Sequence, residues 1–103
     1  MSRQIIKTAE AKLDLLEHFV YIGQDSIEAA DRFLSAAEIA FEQLAQFPRM
    51  GSPREFRRRE LAGLRQWSVP GFESYLIFYL PVEAGIKVIR VVHSARNLRR
   101  IFR

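Results

Sequence analysis

The chain has 103 residues, of which 49% are hydrophobic, and it contains two histidines and no cysteine. This length suits one domain, residues 1–103, and the lack of cysteine excludes disulfides and thiolate metal sites. His18 and His93 are too few to predict a metal cluster, and we expect no cofactor. Because no apolar run reaches the roughly 18 residues of a membrane helix and the N-terminus lacks a secretion signal, we expect a cytoplasmic protein without membrane contact.

The charge is divided unevenly between the two halves of the chain. Residues 1–48 hold four basic and eight acidic side chains, a net charge of −4. Residues 49–103 hold twelve basic and four acidic side chains, a net charge of +8, and the whole chain therefore carries +4. This asymmetry predicts a basic surface that faces an acidic partner, either a protein segment or a nucleic acid. The alternative is a basic face that is only solvated.

The first half begins with a predicted strand and a predicted helix. Gln4 to Lys7 is the strand, and Thr8 is a candidate N-cap for a helix that starts at Ala9 and stops near Gly23. Apolar residues at helical spacing predict a broad buried face on this helix, formed by Leu13, Leu16 and Val20 and widened by Leu15, Phe19 and Ile22.

A second helix is predicted from its start and stop signals. Asp25 followed by Glu28 resembles a capping box, and Pro48 ends the helical pattern. The apolar residues of this helix trace one stripe, formed by Ala30, Phe33, Leu34, Ala37, Phe41, Leu44 and Phe47. Because the link between the two helices is short, they must fold back on each other as an antiparallel helical hairpin.

The second half predicts three strands, from Leu64 to Val69, from Ser74 to Leu80 and from Ile86 to His93. Pro81 and Gly85 bracket the last connection, a hairpin loop of about five residues. Short connections between sequential strands favour antiparallel neighbours. We therefore predict an α+β fold in the order β-α-α-β-β-β, with an N-terminal strand and an antiparallel helical hairpin packed on a small, mainly antiparallel sheet.

The last strand is apolar on both faces, which predicts a central position in the sheet. One face holds Ile86, Val88, Arg90 and Val92, and the other holds Lys87, Ile89, Val91 and His93. A buried Arg90 needs a carboxylate, carbonyl groups or a water path. We predict that it is a paired structural arginine rather than a catalytic one.

Polar residues follow directly on this strand, in the stretch from Ile86 to Asn97. A buried strand fixes the backbone upstream, so His93 and Arg96 are candidates for function, or else they only solvate the strand end. The usual catalytic signatures are missing, among them a glycine-rich phosphate loop, a Gly-x-Ser-x-Gly turn and a His-Glu-x-x-His pair.

A metal-independent nuclease would need an acid–base pair and cations around a phosphate. Arg65, Arg90 and Arg96 supply cations, and His93 supplies one proton carrier. No second acid–base group is evident beside them, and Glu60 and Glu73 are candidates only by default. The residues therefore favour a protein without catalysis of its own, and a nuclease is the alternative.

The order of these elements and their motifs resembles the RelE/ParE superfamily of bacterial toxins, most closely the ParE branch. The resemblance covers nearly the whole chain. It is carried by Asp14-Leu15-Leu16, Tyr21-Ile22, Ala30, Phe33-Leu34, Pro48, Gly51, Arg54-Glu55, Gly63-Leu64-Arg65, Tyr75-Leu76-Ile77-Phe78-Tyr79, Ile89-Arg90-Val91-Val92-His93 and Arg96-Asn97.

This resemblance implies the toxin of a type II toxin-antitoxin system, neutralised by a small antitoxin encoded beside it. For the ParE branch it implies inhibition of DNA gyrase, and for the RelE branch ribosome-dependent cleavage of mRNA. Leu76 stands where the nucleases place a phosphate-binding arginine, and Phe102 stands where they carry a tyrosine. Arg65 and Arg96 match basic positions of the nucleases. Asn97 stands where the ParE branch often carries aspartate.

The resemblance also implies a partner and a binding surface. An acidic, ParD-like antitoxin is expected to fold on the toxin as a hetero-oligomer, with its apolar side chains on the helical hairpin. We expect no direct binding to DNA without it. Residues 98–103 either dock on the target or cover the sheet. Arg65, His93 and Arg96 are the catalytic candidates if the chain is a nuclease. The residues predicted to bind antitoxin or target are Arg57, Arg58, Arg65, Trp67, Arg96, Arg99, Arg100 and Phe102.

Overall fold

A computed structural model describes residues 3–103 of the chain. In chain order the elements are β1 (Gln4–Lys7), α1 (Ala9–Gly23), α2 (Ile27–Gln46), β2 (Ser52–Pro53), a 3-10 turn (Arg59–Leu61), β3 (Arg65–Val69), β4 (Phe72–Val82), β5 (Gly85–His93) and α3 (Leu98–Ile101).

The strands form one sheet in the order β1-β5-β4-β3-β2. β1 pairs with β5 in parallel, and the other three pairings are antiparallel. Gly85 is needed where β1 meets β5, because a Cβ atom there would lie 1.9 Å from the Gln4 carbonyl oxygen. The predicted α+β fold is confirmed. The sequence did not predict three short elements, namely β2, the 3-10 turn and α3.

Both helices of the hairpin begin at a hydroxyl N-cap. Thr8 accepts a hydrogen bond from the Ala11 amide at 3.0 Å, as predicted. At the second helix the cap is Ser26, which accepts from the Ala29 amide at 3.1 Å. The prediction that Asp25 opens this helix was therefore wrong by one residue. A serine hydroxyl and an aspartate carboxylate make the same bond, so their order in the sequence did not decide between them.

The buried face predicted for α1 was wrong for the three residues that formed its centre. Leu13, Leu16 and Val20 are 54%, 58% and 54% exposed. The side chains of α1 that lie against the sheet are Ala11, Asp14, Leu15 and His18. Two of these are polar, so the apolar period alone pointed to the wrong side of the helix.

The sheet has a hydrophobic cluster on each face. α1 and α2 cover one face, where Phe33, Phe41 and Leu44 pack on Ile77 and Val91. The other face is covered by the loop between β2 and β3 and by α3, with a cluster formed by Leu61, Leu64, Leu76, Phe78, Val92 and Phe102. The tail therefore covers the sheet, which was one of its two predicted roles.

The pairing of β4 with β5 contains a bulge. Phe78 pairs with Arg90 and Tyr79 pairs with Val88, so Ile89 has no partner on β4. The extra residue reverses the alternation of faces, and Val91, not Arg90, follows Val88 on the helix side. The predicted division of this strand into two faces was therefore wrong beyond Val88.

The hairpin between β4 and β5 is tighter than the predicted loop of about five residues. Val82 pairs with Gly85, so Pro81 lies inside the strand and only Glu83 and Ala84 form the turn. Among residues 3–103, no helix is long and apolar enough to cross a membrane.

Candidate interaction surface

Side chains of the first helix complete the edge of β5 beyond the end of β1. β1 stops at Lys7, whereas β5 continues to His93. The Thr8 hydroxyl donates to the Ile89 carbonyl at 2.7 Å, and His18 Nε2 donates to the Val91 carbonyl at 2.7 Å. These bonds replace the missing strand and hold the end of β5 in place.

Asp14 is the centre of this arrangement. Its carboxylate accepts from Arg90 Nε at 2.7 Å and Nη2 at 2.9 Å, and from the Val91 amide at 3.0 Å. Hydrogen bonding to Asp14 raises the pKa of the Arg90 guanidinium, burial opposes the shift, and the charges of Asp14, Glu10 and Glu17 add to it. The predicted structural pairing of Arg90 is confirmed, so this cation is not free for a ligand.

His93 and Arg96 lie where the rigid part of β5 ends. His93 Nδ1 accepts from the Ala95 amide at 3.0 Å, and its ring meets that of Tyr75 edge-on at 5.0 Å. Arg96 is exposed, and its amide donates to the His93 carbonyl at 3.0 Å. Asn97 caps α3 by accepting from the Arg100 amide. His93 therefore shapes the turn, and Arg96 presents its guanidinium to solvent.

Arg65 belongs to a hydrogen-bonded loop at the opposite end of the sheet. Its guanidinium donates to the Gly51 carbonyl at 2.5 Å and to the Arg49 carbonyl at 3.2 Å. Beside it, the Tyr79 hydroxyl donates to the Pro48 carbonyl at 2.7 Å and accepts from the Gly51 amide at 2.9 Å. Burial raises the pKa of Tyr79, while the bond from Gly51 and the charge of Arg65 act in the other direction.

The three residues predicted for a nuclease do not converge. Arg65 pairs with Tyr79, whereas His93 pairs with Tyr75, so the two are four residues apart along β4. At about 3.3 Å per residue, this separates their backbones by roughly 13 Å. The Arg65 guanidinium is held by the Gly51 and Arg49 carbonyls, whereas the His93 ring is held by the Ala95 amide, so the two side chains have separate partners.

Glu60 and Glu73, the two candidates for a second acid–base group, are each held by a hydrogen bond. Glu60 accepts from Arg58 Nε at 3.2 Å, and a backbone hydrogen bond followed by this one lowers the pKa of its carboxyl group. Glu73 accepts from the Gly71 amide at 2.7 Å and closes a turn. Because its pKa is lowered, the Glu60 carboxyl group is a poor general acid at neutral pH.

The tail is anchored by one aromatic residue. Phe102 is 1% exposed, and its ring lies 4.7 Å from that of Phe78 and 4.8 Å from that of Phe56. Arg99 and Arg100 are exposed on α3. The binding role predicted for Phe102 stays a prediction, and its position makes it the anchor that holds these arginines at the surface.

A basic cleft lies between the tail and the loop that follows β2. It is open, with a volume of about 640 Å³, and is lined by Glu55, Phe56, Arg57, Arg99 and Arg103. Arg57 and Arg99 were predicted binding residues, whereas Arg103 and Phe56 were not. The arginine runs around Phe56 and Phe102 were the available signal, but only the fold places the two runs side by side.

The remaining predicted binding residues lie elsewhere. Arg58 is exposed and paired with Glu60. Trp67 is half-buried against the helix-side cluster, and its indole Nε1 is buried without a hydrogen-bond partner among residues 3–103. The residues predicted for binding therefore do not form one continuous patch.

The outer face of α1 is an exposed apolar stripe, formed by Leu13, Leu16, Val20 and Tyr21. Large apolar side chains rarely remain exposed as a group unless they serve an interaction. Glu10 and Glu17 are helical neighbours of Leu13 and carry negative charge beside the stripe. This α1 stripe and the basic cleft are two surfaces of opposite chemistry.

Comparison with known proteins identifies the family. The family model described as "ParE toxin of type II toxin-antitoxin system, parDE" matches residues 5–98. A solved structure described as "Chromosomal ParDE TA system from P. aeruginosa" has a similar fold, with a TM-score of 0.67 and 17% sequence identity over 88% of this chain and 95% of that chain. Comparison with curated proteins found no match. The chain belongs to the family of ParE toxins of type II toxin-antitoxin systems.

Proposed function

We propose that this toxin inhibits DNA gyrase in the cytoplasm, without catalysis of its own, and that an antitoxin neutralises it. The observation that carries the proposal is the match to the ParE toxin family over residues 5–98. The geometry agrees with a binding role, because Arg65 and His93 lie on different parts of the sheet and Glu60 is held by Arg58. Ribosome-dependent cleavage of mRNA is the alternative that the experiments below separate.

The α1 stripe is the proposed seat for apolar side chains of the antitoxin. A disordered segment that folds on binding recovers its ordering cost mainly by burying apolar surface. Leu13, Leu16 and Val20 offer that surface in one row, and their helix is fixed to the sheet by Asp14. The expected complex is a hetero-oligomer of toxin and antitoxin.

The acidic side chains of the antitoxin are proposed to lie on the basic half of the toxin. Glu10 and Glu17 repel carboxylates from the border of the α1 stripe. Arginines of the second half attract them, and the candidates are the exposed Arg57, Arg58, Arg96, Arg99 and Arg100 together with the half-buried Arg65. Because exposed charge pairs are screened by salt, antitoxin affinity is expected to fall as salt rises.

Expression in bacterial cells tests the proposed target. Induction of the toxin is expected to stop growth, with incorporation of labelled thymidine falling before incorporation of labelled methionine. Coexpression of the cognate antitoxin is expected to restore both. A fall in methionine incorporation that precedes any fall in thymidine incorporation would favour mRNA cleavage.

Direct binding to DNA is not part of the proposal. In the described part of the chain, residues 3–103, the hairpin is acidic and no basic helix is long enough to enter a major groove, since α3 contains only Leu98–Ile101. Filter binding of labelled duplex DNA to the purified toxin is therefore expected to give no retention at physiological salt. Retention that the antitoxin does not enhance would contradict this expectation.

A further inference from the structure

The α1 stripe cannot turn inwards, because the opposite side of the helix is fixed to the sheet. On that side Asp14 is hydrogen-bonded to β5, and Leu15 packs in the helix-side cluster. Leu13, Leu16 and Val20 therefore point to solvent, where each is more than half exposed. A row of aliphatic side chains in this position gains free energy when a second apolar surface covers it.

The stripe has the spacing of a seam between two helices. Leu13, Leu16 and Val20 follow one another at intervals of three and four residues, which are the intervals of the a, d and a positions of a heptad. The 15 residues of α1 leave room for two heptads. Isolated helices of this length are marginal in water. Because α1 is already folded on the sheet, its association with a second helix does not have to supply the free energy of helix formation.

The charges that border the stripe make it complementary to itself. Lys12 takes the g position of the heptad on one border, whereas Glu10 and Glu17 take the e positions on the other border. When two copies of α1 lie parallel about a two-fold axis, the g border of each helix meets the e border of the other. Lys12 of one copy then faces Glu17 of the second copy, and the symmetry forms this pair twice.

The same charges disfavour the antiparallel arrangement. A two-fold axis across the helices brings like borders together, so that Lys12 lies on the side of the second Lys12 and Glu17 lies on the side of the second Glu17. The apolar row and its charged borders therefore select both the partner, a second copy of the chain, and the direction in which that copy lies.

We propose that the free toxin forms a parallel dimer in which the α1 stripes of two copies pack on each other. Each copy contributes mainly three aliphatic side chains, so the interface is small, and its dissociation constant is expected to be on the order of 10 μM. The antitoxin is proposed to use the same stripe, so the dimer covers the stripe only while no antitoxin is bound. The dimer concerns the toxin alone and does not depend on the gyrase proposal.

Sedimentation velocity of the purified full chain tests the dimer. Between about 1 μM and about 100 μM, the range in which so small an interface dissociates, the sedimentation coefficient is expected to rise towards that of a dimer. Leu16→Gln places an amide in the seam and is expected to keep the protein monomeric over this range. A wild type that stays monomeric throughout would overturn the inference, and so would a dimer that Leu16→Gln leaves unchanged.

Exchange of the border charges tests the parallel direction. Lys12→Glu places a glutamate against Glu17 and is expected to weaken dimerisation by about tenfold, since an attraction becomes a repulsion at both copies of the pair. The double variant Lys12→Glu with Glu17→Lys restores the pair and is expected to dimerise like the wild type. If the double variant stays as weak as Lys12→Glu, the parallel arrangement is wrong.

Lys87→Glu is the matched control for charge. Lys87 is exposed, and it alternates along β5 with Ile86 and Val88 of the helix-side cluster, so it lies on the opposite face of the sheet from α1. The substitution changes the charge by the same amount as Lys12→Glu and is expected to leave dimerisation unchanged. Equal weakening by the two variants would contradict the proposed seam, because self-association would then follow net charge alone.

Discussion

Asp14 of α1 joins the first helix to the last strand, because one carboxylate accepts both the Arg90 guanidinium and the Val91 amide, at 2.7 to 3.0 Å. The amide is free for this bond because β1 has ended and Ile89 is a bulge. Asp14 is buried and Arg90 retains 24% side-chain exposure. The position of His93 and of the tail that follows therefore depends on a side chain of the hairpin.

Replacement of Asp14 by alanine is expected to lower the free energy of unfolding by about 2–3 kcal/mol, because a guanidinium and a buried amide lose their partner. Asp14→Asn keeps an acceptor and is expected to cost less. Urea denaturation measures both. In an Arg90→Ala background the cost of Asp14→Ala is expected to shrink, and equal costs in both backgrounds would show that the pair is not coupled.

Phe102→Ala is expected to destabilise the protein by about 3–4 kcal/mol, since it removes a fully buried ring from contact with Phe56 and Phe78. Arg99 is exposed on the same tail. The substitution Arg99→Gln is therefore expected to change the free energy of unfolding by less than about 0.5 kcal/mol. Thermal unfolding compares the two. Similar midpoints would mean that the tail does not pack on the sheet in solution.

Deletion of residues 98–103 is therefore a poor test of target docking. It removes Phe102 together with the arginines and uncovers the outer cluster of the sheet. Abolished toxicity with largely intact antitoxin binding, the result expected for a docking tail, would also follow in part from lower stability. Substitution of Arg99 and Arg100 separates the two effects, and unchanged growth inhibition by these variants would remove the docking role.

Substitutions on the α1 stripe and on the buried face of α1 are expected to differ in their effects on stability and on antitoxin binding. Leu15→Ala should cost about 2–4 kcal/mol because Leu15 is buried. Leu16→Gln should leave stability within about 1 kcal/mol and weaken the complex with the antitoxin, measured by calorimetry. A Leu16 variant that unfolds like the Leu15 variant would contradict the exposed position of this side chain.

Ionisation of the Tyr79 hydroxyl is expected to lower the stability of the protein at alkaline pH. Burial raises its pKa above the ordinary value of about 10. The folded state therefore holds the phenol proton more tightly than the unfolded state. The contribution of the protonated Tyr79 hydroxyl to the free energy of unfolding is complete below pH of about 10. It is lost as the pH rises through the pKa of Tyr79 in the folded state. Tyr75, whose pKa burial also raises, acts in the same window.

Tyr79→Phe isolates this effect. At neutral pH the variant should be less stable by about 1–3 kcal/mol, because the Gly51 amide and the Pro48 carbonyl lose their shared hydroxyl. Above pH of about 10 the difference from the wild type should narrow. A difference that stays constant from neutral to alkaline pH would show that Tyr79 does not titrate with unfolding.

The predicted α+β fold was correct because its signals are local. Thr8 is a hydroxyl at a helix start, Pro48 stops a helix, and each strand is a run of apolar residues. The buried face of α1 was not predictable from the apolar period, because Asp14 and His18 face the sheet to satisfy the open edge of β5. That need arises only once β1 is known to be shorter than β5.

The candidate site was predictable only in part. The sequence identified basic residues such as Arg57 and Arg99 but not their common cleft, because the loop and the tail meet only when both cover the outer face of the sheet. The bonds from Arg65 to the loop at Gly51 were not predicted, since they depend on a turn that brings the end of α2 back to β3.

Purified toxin assayed in parallel on two targets tests the proposed function most directly. One reaction contains DNA gyrase and relaxed plasmid, and the other contains ribosomes engaged on an mRNA. We predict that the toxin blocks supercoiling, that the antitoxin restores it, and that the mRNA stays intact. Cleavage of the mRNA while supercoiling proceeds unchanged would contradict the proposal.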